Sequence, residues 1–229
     1  MNIQFYQKLT LLDFPQKTAC TVFTYGCNLR CPFCHNAGLV TRPAEEKIDE
    51  VEFFKFLDKR KNLLDGVCIT GGEPLLQPDI ARFISDIKAK GFLVKLDTNG
   101  FFPDKLEELI NAGLVDYVAM DIKNSPEKYS VTCGIENADM DRINKSISIL
   151  KSSSTDYEFR TTAVKGLHEK EDFEKIGKWL CGDSKYYIQC FKDSGDTIEK
   201  GLDAFNEEEL KSFKNAVIPY LPSTELRGI

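Results

Sequence analysis

The run Ala19-Cys-Thr-Val-Phe-Thr-Tyr25 leads straight into Gly26-Cys27-Asn-Leu-Arg-Cys31-Pro-Phe-Cys34-His-Asn36, and the whole chain is organised around this junction. Thr21, Val22, Phe23 and Thr24 are β-branched or aromatic, so the first half reads as a buried strand. The second half is a loop holding three of the eight cysteines, spaced by four and three residues. Thiolates at these spacings can converge on one soft metal centre, and no fourth cysteine lies close enough to complete the set. Structural zinc generally takes four ligands as two separated pairs, and no second pair follows downstream. An iron-sulfur centre held by Cys27, Cys31 and Cys34 is the better reading. A cubane cluster has four irons, so three cysteines leave one iron for a ligand that is not protein. His35, adjacent to Cys34, has difficulty reaching the opposite cluster corner and is expected to pack or hydrogen-bond within the loop. Cys20, Cys68, Cys133, Cys181 and Cys190 lack cluster spacing and read as small buried hydrophobes or incidental thiols.

Outward from this junction the pattern alternates. Ile48, Val51, Phe54 and Leu57 recur at helical spacing, with Asp49 and Glu50 at the positive N-terminal end. Gly66 to Thr70 then reads as a strand, Ile80 to Ile87 as a helix, Phe92 to Leu96 as a strand, Leu106 to Ile110 as a helix, and Val115 to Ile122 as a strand. Met140 to Leu150, Glu158 to Val164, Phe173 to Leu180 and Tyr186 to Phe191 continue the series, and a last helix carries Leu210, Phe213 and Val217. Six strands alternating with helices predict an α/β fold, an incomplete (β/α)6 TIM-like barrel of parallel strands. Right-handed crossovers place every strand's C-terminal end on one rim, where function should cluster. Residues 1–18 read as an N-terminal arm or hairpin on a barrel edge, 19–191 as the core, and 192–229 as a C-terminal loop and helix. Lys151 to Ser154 is expected as a flexible turn and Asp193 to Gly201 as a polar loop.

Length and composition agree with this. A chain of 229 residues suits one domain, and 42% hydrophobic with 29% charged residues is ordinary for a globular protein. No apolar run approaches the ~18 residues of a membrane span, and Met1 to Thr10 lacks a secretory signal, so a cytoplasmic protein without membrane partners is expected. A net charge of -6 argues against a nucleic-acid groove. Lys59, Arg60 and Lys61 read as a solvated helix end.

Polar clusters close each strand. Thr70-Gly71-Gly72-Glu73-Pro74 ends the second strand, and its glycines let backbone groups approach an amino-acid-like ammonium or carboxylate. Asp97-Thr98-Asn99-Gly100 and Asp121-Ile122-Lys123 end the third and fourth. Alone, these read as a turn and a surface pair; on successive strand ends they suggest a ring of ligand contacts. The fifth strand adds Arg160, Thr161 and Thr162, where an arginine can clamp a carboxylate, and the sixth adds Gln189. Arg160 and Gln189 each admit a site role or a structural one.

Cys27-x3-Cys31-x2-Cys34 with Phe33 before the last cysteine, followed by Gly71-Gly72-Glu73-Pro74, resembles the signature of radical S-adenosylmethionine enzymes. Cys34-His35-Asn36, Asp97-Thr98-Asn99-Gly100 and Asp121-Ile122-Lys123 resemble the branch that activates glycyl-radical enzymes. Leu12-Asp13-Phe14-Pro15 and Phe23-Thr24-Tyr25-Gly26-Cys27 are most similar to the longer activating proteins of anaerobic ribonucleoside-triphosphate reductase. The resemblance implies a 4Fe-4S cluster on the three cysteines, its fourth iron chelated by the amino and carboxylate groups of S-adenosylmethionine. Reductive cleavage of that cofactor would yield a radical that takes hydrogen from a backbone glycine of a partner, with flavodoxin or ferredoxin as reductant. Phe33 would lie by the adenine, Gly71, Gly72 and Glu73 would hold the methionine ammonium, and Asp97, Thr98, Asn99 and Gln189 would add cofactor contacts. Lys123 and Arg160 would face the methionine or peptide end. Asp97, Thr98, the Ala119 carbonyl and Asp121 match positions where pyruvate formate-lyase activating enzyme binds a monovalent cation. That enzyme's sixth-strand histidine is replaced here by Gln189. Competing readings are an activator of another glycyl-radical enzyme such as pyruvate formate-lyase, a radical enzyme acting on a small molecule, and a non-catalytic metal or electron-transfer protein. The last leaves the Gly71 and Asp97 motifs without a role.

Overall fold

Apolar runs that alternate with amphipathic helices give, in the computed structural model, a single sheet that is wound once. It describes residues 1–42, 47–193 and 195–229; Ser194, inside the expected polar loop, lies outside them. In chain order the elements are β1 (Ile3–Thr10), β2 (Ala19–Thr24), α1 (Ala37–Thr41), α2 (Glu50–Asp58), β3 (Gly66–Gly71), α3 (Ile80–Ala89), β4 (Leu93–Thr98), α4 (Pro103–Asn111) and β5 (Tyr117–Asp121). There follow α5 (Tyr129–Cys133), α6 (Met140–Ser152), β6 (Asp156–Ala163), α7 (Lys170–Leu180), β7 (Lys185–Cys190), α8 (Glu207–Val217) and β8 (Thr224–Arg227). Strands pair in the order β1 to β8, so each strand's neighbours are those adjacent in sequence. Only β1 runs antiparallel, against β2; all later pairs are parallel. Sequential parallel pairing is barrel winding rather than the doubly wound order, and because no β1–β8 pair forms among the described residues the barrel stays open.

The helices form for ordinary reasons. Asp49 caps α2 by accepting from Val51 N, and Asn206 with Glu209 makes a capping box on α8. Helix α3 buries Ile80, Phe83, Ile84 and Ile87 on one stripe, worth roughly 1.5–3 kcal/mol per side chain. That stripe lies on the outer face of the sheet, where Val22, Val67, Ile69, Val94, Leu96, Val118, Met120, Phe159 and Ile188 are fully buried. Alternation along each strand turns the other set of residues inward, among them the polar Thr21, Cys68, Lys95, Asp97, Asp121, Glu158 and Arg160. The core therefore fills the space between sheet and helices, while the barrel lumen holds charges.

The lower end of the lumen is plugged. Phe14, in the β1–β2 connection, packs with Ala19 and Tyr117, and a Cβ on Gly66 would stand 2.9 Å from its ring. Asp13 accepts a hydrogen bond from the Thr21 hydroxyl. Leu12-Asp13-Phe14-Pro15 is thus a stopper for the barrel floor.

Three details differ from the sequence reading. Ile48 bridges to Ile3 instead of entering α2, and Val51 is exposed, so Phe53 and Leu57 form that helix's buried face. Strand β8 adds to the six expected parallel strands. Helix α6 continues through Ser152, where a flexible turn is expected.

Candidate functional site: a cavity at the C-terminal rim

Loop Tyr25–Asn36 leaves β2 at the upper rim and is held by backbone packed on backbone. Gly26, at φ 92°, donates its N–H to Leu39 O and accepts from Glu73 N. A Cβ on Gly72 would fall 1.9 Å from Gly26 O, so the second glycine of the Gly71-Gly72 pair is required by contact with the cysteine loop. Asn36 Nδ2 donates to Gly71 O at 3.2 Å, tying the end of the loop to β3. On the far side Arg30 N donates to Cys133 O, and Gly134 ends α5 at φ 65° with no room for a Cβ, which would meet Arg30 O at 2.1 Å.

Cys27, Cys31 and Cys34 line one cavity of about 290 Å³, close to the ~300 Å³ lower bound of small-molecule pockets. They are joined by Phe33 from the loop, Gly71 and Gly72 from β3, and Asp97, Thr98 and Asn99 from β4. Asp121 and Lys123 follow from β5, Arg160 from β6 and Gln189 from β7. The sequence-predicted residues are brought together except Thr161, whose hydroxyl donates to Ile122 O on the other strand face, and two others. Glu73 is fully buried behind the cavity wall, where its carboxylate accepts from Leu75 N (3.0 Å), Thr98 Oγ1 (3.0 Å) and Asn99 N (2.7 Å). It splices the β3 turn to the β4 turn, and burial pushes its carboxyl up to about 7. Ala119 lies within the sheet, paired with Asp97 and Glu158.

Residues that sequence reasoning missed support the wall from outside. Buried His168 accepts from Val164 N at Nδ1 (3.3 Å), so a neutral ring carries its proton on Nε2 and donates to Lys123 O (2.8 Å). Burial lowers its pKa, which keeps the ring neutral, and it meets Phe33 edge-on at 6.4 Å. Cys190 also lines the cavity, beside Thr162, which was expected there with Arg160 and shares its strand face. His35 lines the cavity too and stacks on Phe191 at 5.6 Å.

The donors suit a thiolate-bound cluster. Cys27, Cys31 and Cys34 all face the same cavity, as thiols that share one multi-iron cluster must. The Cys27 sulfur is approached by Leu29 N at 3.4 Å and Asn99 Nδ2 at 3.8 Å, the kind of donor that tunes a ligating sulfur. Burial pushes the Cys27 thiol up to about 12 and the Cys34 thiol upward. The hydrogen bond from the neighbouring Cys133 thiol draws the Cys31 thiol downward. Loading a cluster therefore releases protons from buried thiols.

Below the thiols lies a charged ladder. Arg160 meets Asp97 Oδ2 through a terminal nitrogen at 3.2 Å and Asp121 Oδ1 through Nε at 3.0 Å. Lys123 Nζ donates to Asp121 Oδ2 at 2.8 Å, and Lys95 Nζ to Asp97 Oδ1. Despite burial, Arg160 and its lysine neighbours hold both carboxyls below the usual carboxylate range.

The sequence pattern of the Radical SAM superfamily matches residues 21–180. A Methanocaldococcus jannaschii protein named as a glycyl-radical enzyme activating enzyme is 36% identical over 235 residues, covering 96% of this chain and 93% of its own. The pyruvate formate-lyase-activating enzyme of Staphylococcus epidermidis is 27% identical, covering 87% of this chain and 79% of its own. Among solved structures, Streptococcus suis SuiB bound to S-adenosylmethionine superposes with a TM-score of 0.67 at 17% identity, covering 89% of this chain and 48% of SuiB, which supports the fold. The chain belongs to the radical SAM superfamily, within its glycyl-radical-enzyme-activating branch. Its cofactors are accordingly a 4Fe-4S cluster and S-adenosylmethionine.

Proposed function

We propose that this protein installs a glycyl radical in anaerobic ribonucleotide reductase, drawing electrons from flavodoxin or ferredoxin in the cytoplasm. The observation that carries the radical-forming reading is the single cavity uniting three thiols with the strand-end motifs of β3 to β7. When bound, the cluster and S-adenosylmethionine supply reductive cleavage of a sulfonium bond, and the resulting radical takes a hydrogen atom from a backbone glycine. The protein's part is placement and exclusion of water. Cys27, Cys31 and Cys34 would hold the cluster, and the Gly71-Gly72 backbone would receive the methionine ammonium. Phe33, backed by His168, would flank the adenine, while Arg160 and Lys123 would take the methionine carboxylate. Thr98 and Asn99 would add their contacts from β4, and Gln189 from β7.

The choice of reductase is supported by the likeness of Leu12–Pro15 and Phe23–Cys27 to its activators. A second reading, activation of pyruvate formate-lyase, is favoured by the name of the Staphylococcus epidermidis relative. Anaerobically reconstituted protein, reduced and given S-adenosylmethionine, should produce a glycyl-radical electron paramagnetic resonance signal on the reductase. A signal on pyruvate formate-lyase alone would replace the first reading with the second. The helices of the described residues include none long and apolar enough to cross a membrane.

A further inference from the structure

Lys95 stands two residues before Asp97 on β4 and shares its inward face. It is 1% exposed, and its ammonium donates to Asp97 Oδ1 with the Cys68 sulfur 3.9 Å away. The second Asp97 oxygen faces Arg160 at 3.2 Å. Asp121 presents one oxygen to Arg160 at 2.9 Å and the other to Lys123 at 2.8 Å. All four carboxylate oxygens therefore meet a nitrogen of the protein's own cations. The Thr98 hydroxyl is turned away, donating to Glu73 at 3.0 Å. An alkali ion would need these same oxygens, and it would add charge where three cations already oppose two carboxylates.

We propose that the Lys95 ammonium is a built-in replacement for an alkali cation, making S-adenosylmethionine binding independent of sodium or potassium. Lys95 is a positioning residue in this account: it neutralises one Asp97 oxygen so that Arg160 can be shared between Asp97 and Asp121. The surplus positive charge of the ladder then falls to a ligand bearing one carboxylate. Glu158 and Arg227 lower in the lumen cancel each other at 2.7 and 2.9 Å and do not change this count. The assignment rests on the radical SAM reading of the cavity.

The test compares cofactor affinity, by calorimetry on cluster-reconstituted protein, in potassium, sodium and choline chloride at equal ionic strength. The unaltered protein should bind equally in all three. Lys95→Met should lose at least about tenfold in choline and recover in potassium or sodium, since a lost structural contact would not be restored by a small ion. The cluster-free variant should likewise melt higher in potassium than in choline, a readout independent of turnover. Cation-dependent binding by the unaltered protein, or a Lys95→Met variant that no cation rescues, overturns the proposal. If Lys95→Met does not fold, Lys95→Met/Asp97→Asn removes both charges; its binding should not respond to alkali cations, and a response there overturns the proposal as well. Radical transfer to partners is scored separately. Normal binding without a glycyl radical on any partner removes the proposed function and leaves Lys95 in this role, whereas no binding in any salt overturns both.

Discussion

The lumen holds two charged layers of similar burial and different purpose. In the lower one Glu158, 1% exposed, is held by both terminal nitrogens of Arg227 and by the Tyr117 hydroxyl at 2.8 Å, and Phe14 seals the floor beneath. In the upper one Lys95, Lys123 and Arg160 are paired with two carboxylates, Asp97 and Asp121, and the layer opens onto the thiol-lined cavity, where Lys123 also feels the Cys31 sulfur. A saturated buried network stabilises and specifies a fold, whereas one with surplus charge awaits a counter-charge. The imbalance, rather than burial or polarity, separates site from scaffold.

Arg160→Met should give the largest effect, because it strikes the upper layer twice. It leaves two buried carboxylates short of a partner, at about 3–5 kcal/mol of stability, and removes the surplus charge, so cofactor affinity should fall by roughly a hundredfold. Denaturant unfolding and calorimetry would measure the two losses; intact affinity would break the contrast between the layers. Arg227→Met should be costly in one currency only. With Glu158 left unpaired, unfolding free energy should drop by about 3 kcal/mol, the lower end because Arg227 is partly exposed, while cofactor affinity stays within twofold. Any large loss of affinity there would join the two layers into one network. Tyr117→Phe is the mildest, removing one neutral donor from Glu158 for about 1 kcal/mol in the same unfolding experiment.

Much of this was readable from residue types. Strands β2 to β7 announce themselves because their outward residues are Val, Ile, Leu and Phe in short runs between helical stripes. The cavity is legible because chain winding forces strand-end motifs onto one rim, so Cys27, Gly71, Asp97, Asp121 and Arg160 need only be noticed in succession. Strand β8 was hidden: Thr-Glu-Leu-Arg has two charges in four residues and reads as surface, since nothing local reveals that Arg227 meets a buried glutamate. Lys95 was hidden for the related reason that a lysine within an apolar strand looks like a solvent-facing position. Glu73 misled in the other direction. Its place in the Gly-Gly-Glu-Pro motif suggests a ligand contact, but the carboxylate is engaged by the nearby Leu75 N and by the Thr98 hydroxyl and Asn99 N, which only the fold brings near. Ile48 followed helical spacing by coincidence, its partner being Ile3 from the far end of β1.

Because the strands pair only with chain neighbours, a nascent chain leaving the ribosome can lay down this sheet in order, each strand finding its edge already waiting. Cys34 emerges long before Arg160 and Gln189 exist to wall the cavity. The thiols are thus presented to solvent early in synthesis and enclosed late, once the strands that wall the cavity have been made. Until then Cys27, Cys31 and Cys34 are open to oxidation as well as to metal.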